Sequence, residues 1–469
     1  MATRMAEAKV DFGFIGLIVA VATIGGLMFG YDSGVINGTQ PGLKAAFDLS
    51  EAMVGLVVAS LLVGCAVGAF MAGRLSDRLG RRGVMRIGAV LFLISAVGAG
   101  AAPSAGTFVL ARLLGGLGVG AASVLTPIYI AEVTPASIRG RLTSIQQIMI
   151  IGGLTAAFIV NFWFASAAGS SLAPFWGGYQ AWRWMFWAQA VPATVYLVAL
   201  LFIPESPRFL VVRGRDREAQ TVLTRLFGAS AADVKVEEIR RSLAVDHRPK
   251  LSDLRNPATG RLRPIIWAGI MLAVFQQFVG INIVFYYGAV LWQAVGFTES
   301  QSLLTNILSG AVSIAGCLFT VFTVDKIGRK PLLLIGSAVM AVTLGLETYA
   351  FSTGTFVDGA LHLPGGMGHL AFISALIYSA FFNGSWGPIM WVMLGEMFPN
   401  QIRGSALAVA GFAQWIANFA ISMSFPWLKD NVGLAPTYGF YALSAFISFF
   451  LVQKLIHETR GRELEEMQG

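Results

Sequence analysis

The side chains best equipped for chemistry lie between Phe275 and Tyr287, in the stretch Phe-Gln-Gln-Phe-Val-Gly-Ile-Asn-Ile-Val-Phe-Tyr-Tyr. It sits inside an apolar run from about Ile265 to Val295, long enough to cross a bilayer, which takes roughly 20 residues. Buried amides need hydrogen-bond partners, so a lipid-facing helix gains nothing from Gln276, Gln277 and Asn282. At about 1.5 Å per residue the two glutamines, about 12 residues past Pro264, reach the middle of the bilayer. Gly280 can loosen the helix just beyond them, and interrupted helices at that depth mark binding sites in transporters. Amides that merely glue helices together are the competing reading. The grouping of Gln276, Gln277, Asn282, Tyr286 and Tyr287 favours one wall of a polar cavity.

A second pair carries charge. Asp32 falls about five residues inside the far end of the first apolar run, and Arg112 about six residues inside the matching end of the fourth. They can share a depth of roughly 8–9 Å. A lone ionised side chain in a membrane helix costs roughly 2.5–3.5 kcal/mol, so each needs a partner or a neutral state. An aspartate beside an arginine stays ionised and takes a proton when the arginine withdraws, which is the physical core of proton coupling. A structural salt bridge that moves no proton is the alternative.

Composition sets the class. The 469 residues are 56% hydrophobic and only 12% charged, against about 25% charged in soluble proteins, so the chain is read as a polytopic membrane protein. The net charge of +8 comes from short basic clusters between apolar runs, the pattern of loops facing an anionic leaflet rather than of nucleic-acid binding. Cys65 and Cys317 lie inside apolar segments, and none of the four histidines sits deep in one, so neither a metal site nor a disulfide framework is expected. No cleavable signal peptide is expected at the N-terminus.

Twelve apolar runs fall at about 13–37, 52–73, 84–103, 107–131, 143–166, 184–203, 264–295, 301–323, 331–351, 368–396, 404–427 and 433–456. They are called spans 1 to 12. Basic residues collect on one side: Arg74, Arg78, Arg81, Arg82 and Arg86 after span 2, Arg139 and Arg141 after span 4, and Lys326, Arg329 and Lys330 after span 8. The positive-inside rule then puts both termini in the cytoplasm. Residues 204–263, between spans 6 and 7, hold 13 Lys/Arg against 8 Asp/Glu. Helical apolar spacing over Asp216–Phe227 and Val234–Ala244 predicts short helices there, in a linker joining two six-span halves, 1–203 and 264–469.

The halves repeat each other. Glu132, Pro135, Ile138, Arg139 and Gly140 after span 4 recur 264 positions later as Glu396, Pro399, Ile402, Arg403 and Gly404. Ser-Asp-Arg-Leu-Gly-Arg-Arg (76–82) is answered by Val-Asp-Lys-Ile-Gly-Arg-Lys (324–330). Pro204-Glu205-Ser206-Pro207-Arg208 after span 6 is answered by His457-Glu458-Thr459-Arg460-Gly461 after span 12. Duplicated halves with a site between them form an alternating-access machine. Asp77, Arg78, Arg81, Glu132, Arg139, Glu205, Arg208, Asp325, Arg329, Glu396, Arg403 and Glu458 all sit at the basic ends of spans. Their matched placement suggests salt bridges that latch those ends while a cavity opens on the other side.

These motifs resemble those of the sugar porter family of the major facilitator superfamily, over essentially the whole chain from Gly30-Tyr31-Asp32 to Glu458-Thr459-Arg460-Gly461. Bacterial xylose–proton symporters look nearest, with the facilitative glucose transporters further off. The resemblance implies an all-α membrane fold of twelve helices in two pseudo-symmetric six-helix bundles. It also implies monosaccharide transport with no ATP, metal or other cofactor. A sugar site combines amides with aromatic platforms, because pyranoses present hydroxyls around an apolar face. Gln147, Gln276, Gln277, Asn282, Trp391, Gln414 and Trp415 match positions that contact the sugar in those relatives, and Phe29, Tyr287 and Phe382 match positions that close around it. Asn418 reads as helix glue. Three positions depart from the pattern: Leu154 stands where the xylose symporters have a glutamine, Ser313 where the family usually has asparagine, and His457 where the last motif usually begins with proline. Facilitative glucose transporters carry an amide where this chain has Asp32, whereas proton symporters keep the acid.

A membrane enzyme lacks its parts here: no Ser–His arrangement, no His/Glu metal cluster and no Walker sequence occurs, and Gly25-Gly26 and Gly115-Gly116 read as close-packing positions. A non-transporting sugar sensor and a passive uniporter stay open beside a proton symporter. The sequence does not name the sugar.

Overall fold

The computed structural model describes residues 10–245, 251–256, 259–357, 360–399 and 402–460. Nine spans are single helices: Phe12–Phe47, Glu51–Leu79, Arg81–Ala101, Ala105–Val133, Ala136–Ala168, Glu299–Ile327, Arg329–Ser352, Arg403–Asn431 and Leu434–Leu455 form spans 1–5, 8, 9, 11 and 12. The other three are broken. Span 6 is Ala181–Ala188 and Ala190–Ala199, span 7 is Pro264–Phe278 and Ile281–Ala294, and span 10 is Met367–Asn383 and Trp386–Met397. Phe70, Phe202, Phe322 and Val342 are 65%, 70%, 68% and 63% exposed, so the outer surface is itself apolar. Such a surface belongs in lipid, and the chain is an integral membrane protein.

Each break has a local cause. Pro192 has no N–H to give the carbonyl of Ala188, and Pro388 none to give that of Gly384, so spans 6 and 10 are interrupted a turn ahead of their prolines. In span 7 Gly280 adopts a left-handed conformation (φ 84°, ψ 16°), which glycine takes without steric cost. A β-carbon there would also lie 2.7 Å from the Tyr441 ring.

Span 1 is longer than its apolar run, which ends near residue 37; the helix continues to Phe47 through Asn37, Gln40 and Pro41. The side chains of Asn37 and Gln40 bond to span 7 in the other half, and that tertiary contact accompanies the extra turns. Asp32 therefore lies near the middle of a 36-residue helix rather than close to its end. Between the halves, the helix Asp216–Phe227 lies where its spacing predicts. The next helix starts earlier than Val234, at Ala229, because Ala229, Ala231 and Ala232 are strong helix formers. At the other end a short antiparallel hairpin pairs Thr355–Val357 with Ala360–His362.

Within the first half span 1 packs on span 5, and spans 2 and 3 on span 4; within the second, span 9 packs on spans 10 and 12. The halves meet where span 2 touches span 11, span 5 touches span 8, and span 1 touches the second segment of span 7. Small residues set the closest approach. A β-carbon on Gly116 of span 4 would stand 2.1 Å from the Leu61 carbonyl oxygen of span 2. Gly116→Ala is therefore expected to force spans 2 and 4 apart and to destabilise the protein by about 1–3 kcal/mol. Thermal unfolding in detergent checks this, and an unchanged midpoint would contradict the packing.

Candidate functional site

The amides of the broken spans form one connected chain. Gln276 lies in the last turn of the first segment of span 7, and its Nε2 donates to the carbonyls of Trp386 (3.2 Å) and Gly387 (3.4 Å), in the first turn after the break of span 10. Its Oε1 accepts from Gln277 (3.0 Å) and from Gln414 of span 11 (3.2 Å). Asn282, just past the break, donates to Oε1 of Gln277. This relay leaves Gln414 Oε1 buried without a partner. An uncompensated amide oxygen at this depth is the feature a hydroxylated ligand can satisfy.

Aromatic groups from both halves meet at span 11, which carries Gln414. Trp415 of span 11 faces Phe29 of span 1 with ring centroids 6.0 Å apart. Trp391, in the second segment of span 10, is 40% exposed and lies across Gly411 of span 11. Gln147 is half-buried on span 5, and its carboxamide has no hydrogen-bond partner among the described residues. Tyr287 and Phe382 stand apart from the relay: the Tyr287 hydroxyl donates to the Ser422 carbonyl (2.6 Å), and Phe382 packs near Tyr378 beside the break of span 10. Asn418 accepts from Ser422 within its own helix (3.0 Å). Leu154 packs against the Gly30 backbone, and Ser313 accepts from Asn383 (3.0 Å).

The charged pair is direct and wholly buried. The Arg112 guanidinium donates to the Asp32 carboxylate through Oδ1 and to the Asp32 main-chain oxygen through both terminal nitrogens, 3.1 Å each. Its face lies 5.8 Å from the centre of the Phe186 ring. Asp32 Oδ2 has no partner and faces Gly115 and Ser95. Gln189, at the break of span 6, is fully buried beside this carboxylate but outside hydrogen-bonding geometry. Sequence reasoning missed it; the signal was a lone amide three residues before Pro192 in an otherwise apolar run.

Two ends of the molecule are tied differently. At the basic end Arg81 forms a fork with Glu132 (3.0 Å for each bond) and pairs with Asp77 (3.4 Å). Arg329 repeats this in the second half with Glu396 (2.9 and 3.1 Å) and Asp325 (3.0 Å). Glu205 accepts from the backbone N–H groups of Arg81 and Arg82 at the start of span 3, and Glu458 from those of Arg329 and Lys330 at the start of span 9. Burial acts to raise the Glu458 carboxyl, but backbone N–H groups of Arg460, Arg329, Lys330 and Thr459 outweigh it and hold the group below the usual carboxylate range. Its capping is thus present at neutral pH and is lost as pH falls through that depressed value. None of these bonds joins one half to the other. Arg403 bonds the Phe398 carbonyl (3.1 and 3.2 Å), the Arg78 carbonyl accepts from Arg213 (2.6 Å), and Arg208 lies in the first turn of a short helix, Pro207–Val212. The Arg139 side chain lies outside the described residues.

The opposite end is fastened across the halves. Asn37 of span 1 donates to the Phe285 carbonyl (2.8 Å) and accepts from the Ala289 N–H (2.9 Å) and Asn306 (2.8 Å). Gln40 donates to the Tyr286 carbonyl (2.5 Å), and Glu299 accepts from the Ser171 N–H (3.0 Å). The sequence signal was the spacing of Ser33, Asn37 and Gln40, one face of a helix, at the end of the first apolar run.

Two broken spans sharing an amide relay, with a buried ion pair in the other half, define a secondary transporter of the major facilitator fold. The family described as "Sugar (and other) transporter" matches residues 18–469, and the chain belongs to it. Over 463 residues it is 47% identical to the glucose transport protein of Synechocystis sp., covering 98% of each chain. It is 39% identical to the D-xylose-proton symporter of Escherichia coli (strain K12), covering 99% of this chain and 97% of that one. The solved structure of the E. coli xylose transporter in a partially occluded inward-open conformation superposes with a TM-score of 0.82 at 36% identity, covering 96% of this chain and all of that one.

Asn37→Ala removes three bonds across the halves, each worth about 0.5–1.5 kcal/mol net. The expected result is a larger population open at this end, read as longer distances between spin labels on spans 1 and 7. Unchanged distances would contradict the clasp.

Proposed function

We propose that this protein imports a monosaccharide by proton symport, using alternating access between its halves. The observation that carries the reading is the buried Asp32–Arg112 pair, in which one carboxylate oxygen is held by arginine and the other is free to take a proton. While arginine is bonded, the carboxylate is compensated; once arginine withdraws, an unpaired charge in this setting is too costly to keep, and proton uptake relieves it. The relay of Gln276, Gln277, Asn282 and Gln414 supplies hydrogen bonds to sugar hydroxyls, with Trp391, Trp415 and Phe29 as platforms and Gln147 reaching in from the first half. Tyr287 and Phe382 are assigned to closure around the sugar. Glucose and xylose are the sugars named for the relatives, and a hexose or pentose is the substrate class.

The basic end is assigned to the cytoplasm of a bacterial inner membrane, with both termini there. Residues 1–203 and 264–469 act as the moving halves, and 204–263 as the linker. With the opposite end clasped, this conformation corresponds to one closed toward the outside. The ion pairs around Arg81 and Arg329 keep each half rigid, and together with Arg78, Arg139, Arg208 and Arg403 they form the latch that closes the cytoplasmic end in the other half of the cycle.

Gln276→Ala should weaken sugar binding severalfold or more, since each lost bond to a neutral hydroxyl is worth about 0.5–1.5 kcal/mol and the relay loses its hub. Calorimetry on the purified variant checks this, and wild-type affinity would overturn the site. Asp32→Asn should still bind sugar and exchange it, but should not concentrate it. One charge moved through 100 mV is worth about 2.3 kcal/mol, roughly a fifty-fold concentration ratio. A variant that accumulates sugar as well as wild type would leave the passive uniporter in its place.

A further inference from the structure

Glu347 is a carboxyl that the mechanism above does not use. It lies in span 9, is wholly buried, and neither of its side-chain oxygens has a hydrogen-bond partner. Among the described residues no charged side chain reaches it. Its neighbours from the packed spans are phenols: Tyr378 of span 10 and Tyr438 of span 12 lie within its electrostatic reach. On the same side of span 9, Thr348 meets Gly439, and Phe351 packs edge-on against Tyr438 with centroids 5.0 Å apart.

These tyrosines lead to the break in span 7. Tyr378 donates its hydroxyl to the carbonyl of Val279 (2.7 Å), a group released by the break. Tyr438 packs on Tyr441 (5.7 Å), and the Tyr441 ring fills the space against Gly280. The Tyr438 and Tyr441 hydroxyls are themselves buried without partners. One acid and three phenols thus gather at the Val279–Gly280 break, which separates Gln276 and Gln277 from Asn282 along the chain.

We propose that Glu347 is a second proton-binding site of this transporter, coupled to the break of span 7 through Tyr378 and the Tyr438–Tyr441 pair. An isolated carboxylate buried in hydrocarbon with no cation is costly, whereas a carboxylic acid is neutral and offers a donor to the orphaned phenol oxygens. The proton binds to the carboxylate and leaves from it, with no other bond made or broken. While the cluster is closed, Glu347 holds its proton. When the second segment of span 7 moves, Tyr378 and Tyr441 lose their seats at Val279 and Gly280, water reaches the cluster, and the acid can release it. Sugar binding and proton binding at the same break are then linked, and linkage is reciprocal.

This inference deepens the symport reading and rests on it for the sugar linkage, but its first test does not. Infrared difference spectra of the purified protein across a pH change should show a protonated carboxyl C=O band that disappears in Glu347→Gln and in Glu347→Leu. A band unchanged in both variants overturns the site whether or not the chain transports sugar. The second test measures sugar affinity from mildly acidic to alkaline pH in Asp32→Asn, which removes the other acid. That variant should lose affinity roughly fivefold or more as pH rises, the ordinary size of such a coupling. Asp32→Asn/Glu347→Gln should bind with one affinity throughout. An Asp32→Asn protein already insensitive to pH, or a double variant that keeps the dependence, overturns the coupling.

Discussion

Hydrocarbon offers no hydrogen bonds, so a helix that breaks inside a membrane must find protein partners for every group it releases. Three spans break here, and those partners shape the interior. The break of span 7 frees the Val279 carbonyl, which Tyr378 takes. Gln276, one turn before it, donates to two carbonyls just beyond the break of span 10. Gln276 is also the hub that Gln277, Asn282 and Gln414 extend into a relay. Polar groups are thereby gathered at mid-membrane around an amide that the broken backbone already engages.

The first half solves a harsher problem. A buried charge needs compensation, and Arg112 supplies it to Asp32 while also gripping the main chain of the same residue. Losing one partner of such a pair costs about 3–5 kcal/mol when the other stays charged. A pair of this kind suits the proposed proton switch, since the cheap escape from an unpaired carboxylate is a proton. The ties between halves share this logic. Bonds across the halves gather at one end, through Asn37, Gln40 and Glu299, while the Arg81 and Arg329 networks hold each half to itself. Fastening of this kind suits the proposed alternating access.

The amino-acid pattern revealed much of this because membrane constraints are severe. Gln276, Gln277 and Asn282 stand out in an apolar run, and Gly280 does break its helix there. Asp32 and Arg112 could be paired by depth alone, although span 1 proved ten residues longer than its apolar run. That extension was hidden because Asn37, Gln40 and Pro41 lie where the apolar run ends, and the bonds that Asn37 and Gln40 make to span 7 are tertiary. Gln189 was hidden because a single amide gives no periodic signal. The linker helix Asp216–Phe227 was legible in full, since its apolar stripe is decided locally.

The central claim is that sugar and proton move together. The direct measurement uses sealed vesicles containing only this protein, loaded with a pH-sensitive dye and given no initial pH gradient. Adding sugar outside should acidify the interior in step with sugar influx, and dissipating the resulting gradient should speed that influx. Sugar influx at an undiminished rate with no change in internal pH would contradict the account.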